Sequence, residues 1–589
     1  MERKIKGLYL ADVKRDYKGK TYHSYLLRRS YREGKKVKQK TLANISLLPL
    51  DTIEIIKQSL KGDTFVPTSG IEITRSRSSG HVEAVRGCLN DLGLSDIIHP
   101  EPGRKRDLAE AMIVARVLRP QTKLSTTRWW HTTTLPEIMG VEDASEDELY
   151  SAMDWLLSRQ SGIEARLARR HLGNGSLVAY DISSSYYEGQ ACTLAQFGYN
   201  RDKKKGKKQI VYGLMTDSSG RPLSVQVYPG ARKDHQTVED QIHKLKDRFG
   251  IEHFVLAGDR GMLTQGKIDK LKEAGGIDWV TALRSSSIKK LVEEKSLQLS
   301  LFDRMDLAEI TSPLYPGERL IVCKNPYLAL ERAETRNDLL SATQKKLDEI
   351  AKRVASGRLK EEAGIGQAVG KVANKYKMAK HFSFDIKKGR FSYQRNIKSI
   401  AAEAALDGFY VLRSSVSRER WPADKVVSSY KSLSAAEKAF RTLKGVDLKI
   451  RPIHHRLEDR VRAHIFLCML AYYVEWHLRK AWAPLLFDDQ FPGEHQGGSP
   501  VLPALRSGDA LAKAAAKKLA DGTAVHSFQT LLSELSGIVK NDAFIPSIKE
   551  IPPFSLTTSP NKTQARAFEL LGIILEKRKS RHKKCSETV

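Results

Sequence analysis

The hydrophobic and polar positions between residues 177 and 259 predict four β-strands and a helix. The run LVAY leads to Asp181 and three serines, and the runs KQIVYGLMTD and LSVQVYPG flank the turn SSGRP. The helical pattern DHQTVEDQIHKLKDRFG then precedes HFVLAGD, which ends in Asp259. Because a crossover helix lets the fourth strand of this β-β-β-α-β order lie parallel to the first, we expect both aspartates at strand ends, on one edge of a sheet.

The chain before this region divides into two segments of different pattern. Residues 1–68 alternate β-rich runs with basic turns, which predicts a small antiparallel sheet. Its positive charge fits either solvated hairpin faces or a contact with the DNA backbone. Residues 69–172 have the periodicity of helices, with a capping box formed by Ser145 and Glu148. We expect a β-rich N-terminal domain and a helical domain.

The pattern after this region predicts an interrupted α/β core. Residues 173–285 form its first part, and residues 286–405 are interpreted as an insertion with long helices and strands. Residues 406–485 return to the core pattern, and residues 486–589 form a linker and a helical C-terminal region with a basic tail. The predicted fold class is therefore α/β and multidomain.

The helix SAAEKAFRTLK in the second core segment carries a third acid. Glu437, Arg441 and Lys444 follow at i, i+4 and i+7, so they share one face. A neighbouring apolar stripe that would pack on a sheet is formed by Ala436, Phe440 and Leu443. Ser434 and Glu437 also match the capping pattern S-x-x-E, so the glutamate would in that case only cap its own helix. Spacing alone does not separate these interpretations.

Composition indicates a folded protein with a polyanionic partner. With 589 residues, 41% of them hydrophobic, the chain is long enough for several cores, which excludes a single small binding module. Its 99 Lys and Arg against 69 Asp and Glu give a formal charge of +30, for which nucleic acid is the simplest partner. The longest wholly apolar run, residues 465–474, is far shorter than the roughly 20 residues that span a bilayer. We therefore expect that the protein does not have a membrane as its partner.

The cysteines and the first residues predict a reduced, cytoplasmic protein. The 5 cysteines are odd in number and none belongs to a CxxC pair, so neither a disulfide framework nor a structural zinc is expected. The N-terminal stretch MERKIKGLYL is basic but lacks the apolar segment of a signal peptide.

The aspartates predict a divalent-metal site. A single Asp at a strand end is usually a turn or cap residue. Two such residues on adjacent strands repel each other unless a cation lies between them, and carboxylate oxygens are the ligands that Mg²⁺ and Mn²⁺ prefer. We therefore expect Mg²⁺, with Mn²⁺ as a substitute, at Asp181 and Asp259. A two-metal site needs a further carboxylate, for which Glu437 is the candidate.

Five stretches occur in a fixed order along the chain: YDISSSYYEG, GYNRDKKKGKKQIVYGL, VYPGARKDHQTV, LAGDRGML and YKSLSAAEKAFRTLK. In this order they resemble the DDE transposases of bacterial insertion sequences, specifically the IS-four-like superfamily with its ribonuclease-H-like catalytic core. The resemblance covers most of the chain and extends to a branch with RPIHHRLEDRVRAHIFLCMLAY after the glutamate. Carried over residue by residue, it implies a catalytic triad of Asp181, Asp259 and Glu437 that holds two divalent ions.

The resemblance also implies an activity and DNA contacts. Transposases of this kind attack phosphodiesters at transposon ends and in target DNA with water and then a 3′-hydroxyl. The superfamily signature Y-x-x-R-x-x-x-E-x-x-x-x-x-x-K is matched by Tyr430, Glu437 and Lys444, but Leu433 stands where the arginine belongs. Tyr430 and Lys444 are candidates for contacting the DNA backbone, and Arg441 is the candidate to replace the missing arginine.

The basic run RDKKKGKK, residues 201–208, adds further candidates for DNA binding. It is predicted to lie on the hairpin between the first two core strands, where phosphate contact is favoured over a solvated turn. Its candidate residues are Lys203, Lys204, Lys205, Lys207 and Lys208.

Two other functions fit the same residues: a metal nuclease that cuts DNA without joining it, and a non-catalytic DNA-binding relative of a transposase. The presence of all three triad acids argues against the non-catalytic relative.

Because two transposon ends must be held together, we expect a dimer in the DNA complex.

The segment GIGQAVG resembles a nucleotide-binding loop, but it follows a helical pattern where the motif needs a strand, so no nucleotide cofactor is expected.

Overall fold

The computed structural model describes residues 7–62, 65, 70–489, 498–546 and 551–574, which form two compact units. The first unit takes in the described residues up to Ser76 together with Lys540–Thr557. The second comprises Arg77–Val539 and the described residues from Thr558 onward. The predicted basic tail and most of the predicted linker lie outside the described residues.

The N-terminal unit contains the antiparallel sheet that the alternating pattern predicts. Its elements are β1 (Leu8–Tyr17), β2 (Lys20–Glu33), β3 (Lys36–Asn44), α1 (Leu50–Lys61) and the greater part of β4 (Glu72–Ser78). The strands β1, β2 and β3 pair in that order, joined by hairpins at Gly19 and Gly34, which both have positive φ. No residue of these three strands is fully buried, but the start of β1 and the middle of β2 are half-buried, and α1 packs on β1.

Seven helices follow in the described chain before the central sheet begins. They are α2 (Gly80–Asp91), α3 (Leu94–Ile98), α4 (Arg104–Leu118), α5 (Lys123–Trp129), α6 (Leu135–Met139), α7 (Glu146–Ser158) and α8 (Gln160–His171). The predicted capping box is confirmed, because the Ser145 hydroxyl accepts from the Glu148 amide at 3.2 Å and the Glu148 carboxylate accepts from the Ser145 amide at 3.1 Å.

The central sheet has the predicted β-β-β-α-β order. Its first elements are β5 (Ser176–Tyr186), β6 (Gln209–Asp217), β7 (Pro222–Pro229), α9 (Val238–His243) and β8 (Phe254–Ala257). Strand β5 pairs antiparallel with β6 and parallel with β8, so the crossover through α9 brings the fourth strand beside the first, as predicted. Residues 209–216 of β6 are all buried, as expected for a strand covered on both faces.

The sheet extends into the segment that the sequence pattern assigns to an insertion. The next elements are α10 (Gln265–Ala274), β9 (Ile277–Ala282), α11 (Ser285–Glu293), β10 (Leu307–Ile310) and β11 (Arg319–Lys324). In the described residues the strand order is β10-β11-β14-β9-β8-β5-β6-β7, with β14 at Phe409–Ser414. The strands β10 and β11 therefore belong to the central sheet, because β11 pairs with β14.

The remainder of that segment has a small apolar core of its own. It comprises α12 (Pro326–Ala355), α13 (Glu362–Tyr376), β12 (Phe382–Lys387), β13 (Arg390–Arg395) and α14 (Ile397–Ala404). The segment GIGQAVG lies inside α13, so it forms a helix and not a loop.

The C-terminal part places one long helix in the core. After β14 come α15 (Ala423–Lys431), α16 (Leu433–Lys444), α17 (Glu458–Trp482), α18 (Gly508–Ala516), α19 (Phe528–Ser536), β15 (Val539–Phe544), β16 (Phe554–Thr557) and α20 (Lys562–Leu570). Helix α17 packs on α2, α4, α7 and β7. The strands β15 and β16, which periodicity did not predict, form a sheet with β4. Every helix in the described residues is too short or too polar to cross a lipid bilayer.

Candidate active site

Asp181 and Asp259 lie at equivalent positions on neighbouring strands. The parallel pairing of β5 and β8 ends at Ala179 and Ala257, and each aspartate follows two residues later. Parallel strands present their carboxyl ends at the same side of a sheet. The topology therefore brings the two acids to one place, as the sequence predicted.

Asp181 does not end its strand, so this part of the prediction was wrong. Strand β5 continues to Tyr186 because residues 182–186 remain paired with β6, and Asp181 itself lies opposite Leu214. The serines at 183–185 are buried within this continuation. Serine favours turns, which is why a strand end was expected at Asp181, but pairing with β6 decides the conformation here.

Asp259 lies in a tight turn after β8. Its backbone carbonyl accepts from the amides of Met262 at 2.9 Å and Leu263 at 3.1 Å, which closes the turn. Its Oδ1 accepts from the Arg260 amide at 2.7 Å. One carboxylate oxygen is thus held by the backbone, in the same way that Oδ1 of Asp181 accepts from the Ile182 amide at 2.7 Å.

Glu437 is presented by an amphipathic helix that packs on β5. The predicted stripe of Ala436, Phe440 and Leu443 is buried, and α16 contacts β5 and β6. The helix begins at Leu433 with Ser432 as its N-cap residue, and no side chain caps it. Ser434 is therefore inside the helix, and the capping-box interpretation of Glu437 was wrong.

The three acids line a common cavity, here called the carboxylate cleft. It has a volume of about 380 Å³, and Tyr430, Leu433 and Ser434 also line it. An adjoining recess of about 260 Å³ is lined by the same three acids: Asp181, Asp259 and Glu437. The tertiary structure thus brings together residues that are 78 and 178 positions apart in the chain.

The cleft is electrostatically unfavourable for a buried carboxylate. Burial raises the pKa of Asp181 to about 6, and the negative charges of Glu437 and Asp259 add to this shift. The Ile182 amide and the Arg201 guanidinium oppose it. Burial likewise raises the pKa of the Tyr430 hydroxyl to about 12, again with contributions from Asp259 and Glu437. The charges of Glu437 and Asp259, whose side chains are exposed, therefore act on the half-buried Asp181.

The donor set of the cleft fits a hard divalent cation. Within the described residues, none of Asp181, Asp259 and Glu437 has a Lys, Arg or His side chain within ion-pair distance. In this structure the three carboxylates are not arranged as a metal-binding cluster. No group of three His, Cys, Asp or Glu side chains in the described chain has such an arrangement. Three carboxylates without a cationic partner are nevertheless the oxygen donors that Mg²⁺ and Mn²⁺ require.

Comparison with known protein families identifies the chain. The model of the transposase DDE domain matches residues 175–474, which is more than half of the 589 residues and includes all three acids. The chain belongs to the DDE transposases. The model of the N-terminal domain of the IS1634 family transposases matches residues 10–66 of this DNA transposase. A comparison of the sequence with curated proteins finds no match.

Two solved structures are similar to the transposase at low identity. One is a piggyBac transposase synaptic complex with hairpin DNA, at 8% identity and a TM-score of 0.33, covering 78% of this chain and 76% of that chain. The other is a Mos1 transposase paired-end complex with the left transposon end, at 12% identity and a TM-score of 0.14, covering 33% of this chain and 63% of that chain.

Arg201 and Asp234 of the transposase also line the recess, although no sequence pattern indicated them as site residues. The Arg201 guanidinium donates to both carboxylate oxygens of Asp234 at 2.7 Å, and its charge lowers the pKa of Asp181. The two residues are 33 positions apart, in a loop and in the turn before α9, so no local spacing connects them. Their pairing is a product of the tertiary structure.

Lys444 of the transposase lies apart from the acids. Its ammonium group is 3.1 Å from the carboxylate of the buried Asp202, which also pairs with Arg451. Burial lowers the pKa of Lys444, and Asp202 opposes that shift. A contact between Lys444 and DNA would have to compete with this ion pair.

Arg441 and the lysines of the basic run, which are also predicted DNA contacts, are exposed. Arg441 is exposed on α16, one turn beyond Glu437, and makes no ion pair within the part of the chain that the structure describes. The five lysines of the basic run are exposed in the connection from β5 to β6. One of them, Lys207, is 3.5 Å from Glu188, and another, Lys204, lies over the ring of Tyr186.

Proposed function

We propose that the transposase uses Asp181, Asp259 and Glu437 to hold Mg²⁺ or Mn²⁺ and to process DNA at the two ends of an insertion sequence. The reaction is cleavage at the ends followed by strand transfer into target DNA. The observation that carries this proposal is the common cleft in which three acids have no cationic partner within the described residues. The donor chemistry of these acids supports two ions, the number that in-line phosphoryl transfer uses.

The residues of the cleft have different roles in positioning the ions and the DNA. When bound, two divalent ions supply Lewis-acid stabilisation to the attacking and leaving oxygens. The backbone amides of Ile182 and Arg260 each hold one oxygen of an aspartate, which leaves the second oxygen for a cation. The Tyr430 hydroxyl is protonated at neutral pH, as any tyrosine is, and its raised pKa extends this to higher pH, so it can donate to a DNA phosphate. Glu437 is fixed by the packing of α16 on the sheet.

The wider setting of the reaction belongs to the same proposal. The β-β-β-α-β order, with its parallel β5–β8 pair, supports a ribonuclease-H-like core of the IS-four-like superfamily. The partners are double-stranded transposon ends and target DNA, bound by a dimer that holds two ends together. The cytoplasm is the proposed compartment, in keeping with four described cysteines that are all free.

A transposition assay tests the proposal. The DNA that flanks the reading frame is placed around a resistance marker, and marker movement is counted for wild type, Asp181→Asn, Asp259→Asn and Glu437→Gln. We expect each variant to reduce movement by at least a factor of about 10³ while DNA binding remains, because each removes a metal ligand. The control is Asp269→Asn, which changes an exposed acid of α10 outside the cleft.

The result for Glu437→Gln is decisive for the third ligand. Movement that survives this substitution would show that another residue completes the site. Supplying ends with a preformed 3′-hydroxyl separates joining from cutting, since a nuclease would cut the ends and form no strand-transfer product.

A further inference from the structure

A second cavity of the larger unit, here called the basic cavity, has no role in the proposed chemistry. It has a volume of about 620 Å³ and lies among the end of α4, the start of α5, and the chain that leads from α16 into α17. Lysine, arginine and histidine side chains dominate its wall, and none of the described residues that line it is Asp or Glu. A cavity with this lining attracts anions.

Two cations are buried in this wall without a partner. Lys123 is 4% exposed and Arg116 is 7% exposed, and in the described chain neither forms an ion pair or a side-chain hydrogen bond. The other buried lysines in the described residues are neutralised, since Lys244 is 3.0 Å from Glu164 and Lys513 is 2.9 Å from its acidic neighbour on α18. Burying a charge without a partner is costly, so Lys123 is held in place at the expense of stability.

Two further hydrogen-bond donors beside the cavity, one neutral and one charged, have no acceptor in the described structure. The Nε2 atom of Gln121 and the Nε atom of Arg460 are buried and have no acceptor in the described structure. A terminal nitrogen of Arg460 lies 3.6 Å from Asp154, so this arginine is only partly neutralised. Burial, together with the charge of Arg116, lowers the pKa of Lys123 to about 7. Unsatisfied buried donors in native proteins call for an explanation, and an anionic acceptor satisfies them.

The basic cavity is connected to the carboxylate cleft through charged side chains. Arg451 lines the cavity and pairs with Asp202, which also holds Lys444 of α16. Lys444 is seven residues from Glu437 on the same helix, a distance of about 10 Å along its axis. A DNA strand carries one phosphate for about every 3.4 Å of rise, so a strand cut at the cleft has further phosphates at this range.

We propose that the basic cavity binds a phosphate group and that the DNA strand processed at the carboxylate cleft supplies it. This rests on the proposed function. Lys123 and Arg116 form the charged floor of this phosphate site, and Gln121 and Arg460 donate from its sides. The phosphate neutralises the buried cations, so part of the binding free energy offsets their unfavourable burial. The site lies outside the triad and outside the basic run.

The first test compares thermal stability with and without a phosphate probe. Lys123→Met removes the unpaired charge and should raise the melting temperature in phosphate-free buffer, whereas the control Lys513→Met, which breaks a paired lysine, should not. Pyrophosphate should raise the melting temperature of wild type relative to sodium chloride of equal ionic strength, and should do so much less in Lys123→Met. If pyrophosphate stabilises both proteins equally, the cavity is not a phosphate site.

The second test identifies the source of the phosphate. The affinity for duplexes that carry the ends of the element is measured over a range of salt concentrations. Losing one phosphate contact should reduce the slope of log affinity against log salt by about 0.9 in Lys123→Met, with no reduction in Lys513→Met. Lys123→Arg, which keeps the charge, should retain the slope of wild type. An unchanged slope in Lys123→Met, together with stabilisation by pyrophosphate, would overturn the assignment to DNA and point to a free phosphate.

These tests are independent of the triad. Binding and melting need no cleavage, so they can fail while Asp181→Asn still abolishes transposition. Conversely, loss of the salt-slope effect would leave the proposed reaction intact.

Discussion

Asp181 lies in a position that is unfavourable for a carboxylate without a cation. It is half-buried, and Glu437 and Asp259 line the same cleft. Its pKa is raised to about 6 by burial and by those two acids, against a value of 3.8 for an unperturbed aspartate. Native proteins keep such groups mainly where binding or catalysis uses them.

Metal-free stability should depend on this residue. Between pH 3.8 and about 6 the folded state holds a proton on Asp181 that the unfolded state has released. The free energy of unfolding therefore falls as pH rises through this window, by about 3 kcal/mol at most, and the loss persists at higher pH. We expect Asp181→Asn to be more stable than wild type at pH 7 in the presence of a chelator, as measured by urea unfolding.

Added metal should reverse this difference. Mg²⁺ or Mn²⁺ should raise the melting temperature of wild type and leave Asp181→Asn nearly unchanged, since only wild type retains all three of the proposed ligands. Equal stabilisation of both proteins would show that the metal binds elsewhere.

Leu433 is a single-residue departure from the superfamily signature, which has an arginine at this position. It begins α16 and lines the carboxylate cleft. Its apolar side chain can neither donate a hydrogen bond to a phosphate nor neutralise its charge. The exposed guanidinium of Arg441 remains the predicted replacement.

At the scale of elements, the position of α16 depends on the turn between β6 and β7. Gly220 in this turn has a φ of +81°, and a Cβ atom built on it would lie 2.7 Å from Cβ of Ala435. Ala435 is two residues before Glu437, so the turn and the helix are in close contact beside the cleft. The absence of a side chain at Gly220 allows this approach.

Gly220→Ala should therefore impair both folding and catalysis. We expect a loss of about 2 to 4 kcal/mol in the free energy of unfolding, from left-handed backbone strain together with overpacking. The rate of end cleavage should also fall, because α16 has to move. Urea unfolding and a cleavage assay provide the measurements.

The matched control is Gly250→Ala. Gly250 has a φ of +67°, but a Cβ there would have no atom within 4 Å, so this variant carries the backbone strain alone. If both variants show the same free energy of unfolding and the same cleavage rate, contact with the turn does not position α16.

At the scale of the whole molecule, the formal charge of +30 is expected to act through particular surfaces. The basic run in the connection from β5 to β6 is exposed and follows the strand that carries Asp181. In the described chain Lys203, Lys205 and Lys208 make no ion pair, so their charges are available to a phosphate backbone.

Neutralising this run should weaken DNA binding in a salt-dependent way. Replacing its five lysines by glutamine should lower the slope of log affinity against log salt by about 0.9 for each lysine that neutralises a phosphate. The control replaces five exposed lysines of α12, α13 and the loop between them, which are Lys345, Lys352, Lys360, Lys371 and Lys375. An equal effect in both proteins would indicate that overall charge, and not this loop, determines binding.

Local patterns in the sequence predicted the order of the core elements and selected Asp181 and Asp259 as candidates, whereas the resemblance assigned Glu437. The period-two and helical runs predicted the β-β-β-α-β order, and the stripe of Ala436 and Phe440 predicted a helix packed on the sheet; both are observed. These features follow from hydrophobic periodicity, which each segment carries within itself. The chain order of the motifs was sufficient for the resemblance to DDE transposases, which the family comparison confirms.

Only the tertiary structure decided the partners of individual side chains. It extended β5 beyond Asp181, ruled out a capping role for Glu437, joined β10 and β11 to the central sheet, and paired Arg201 with Asp234. It also placed Lys444 on Asp202 and left Lys123 unpaired in a basic cavity. The physical reason is that these outcomes depend on contacts between residues far apart in the chain. Periodicity reports which face of a segment is buried, but not which charge it meets there.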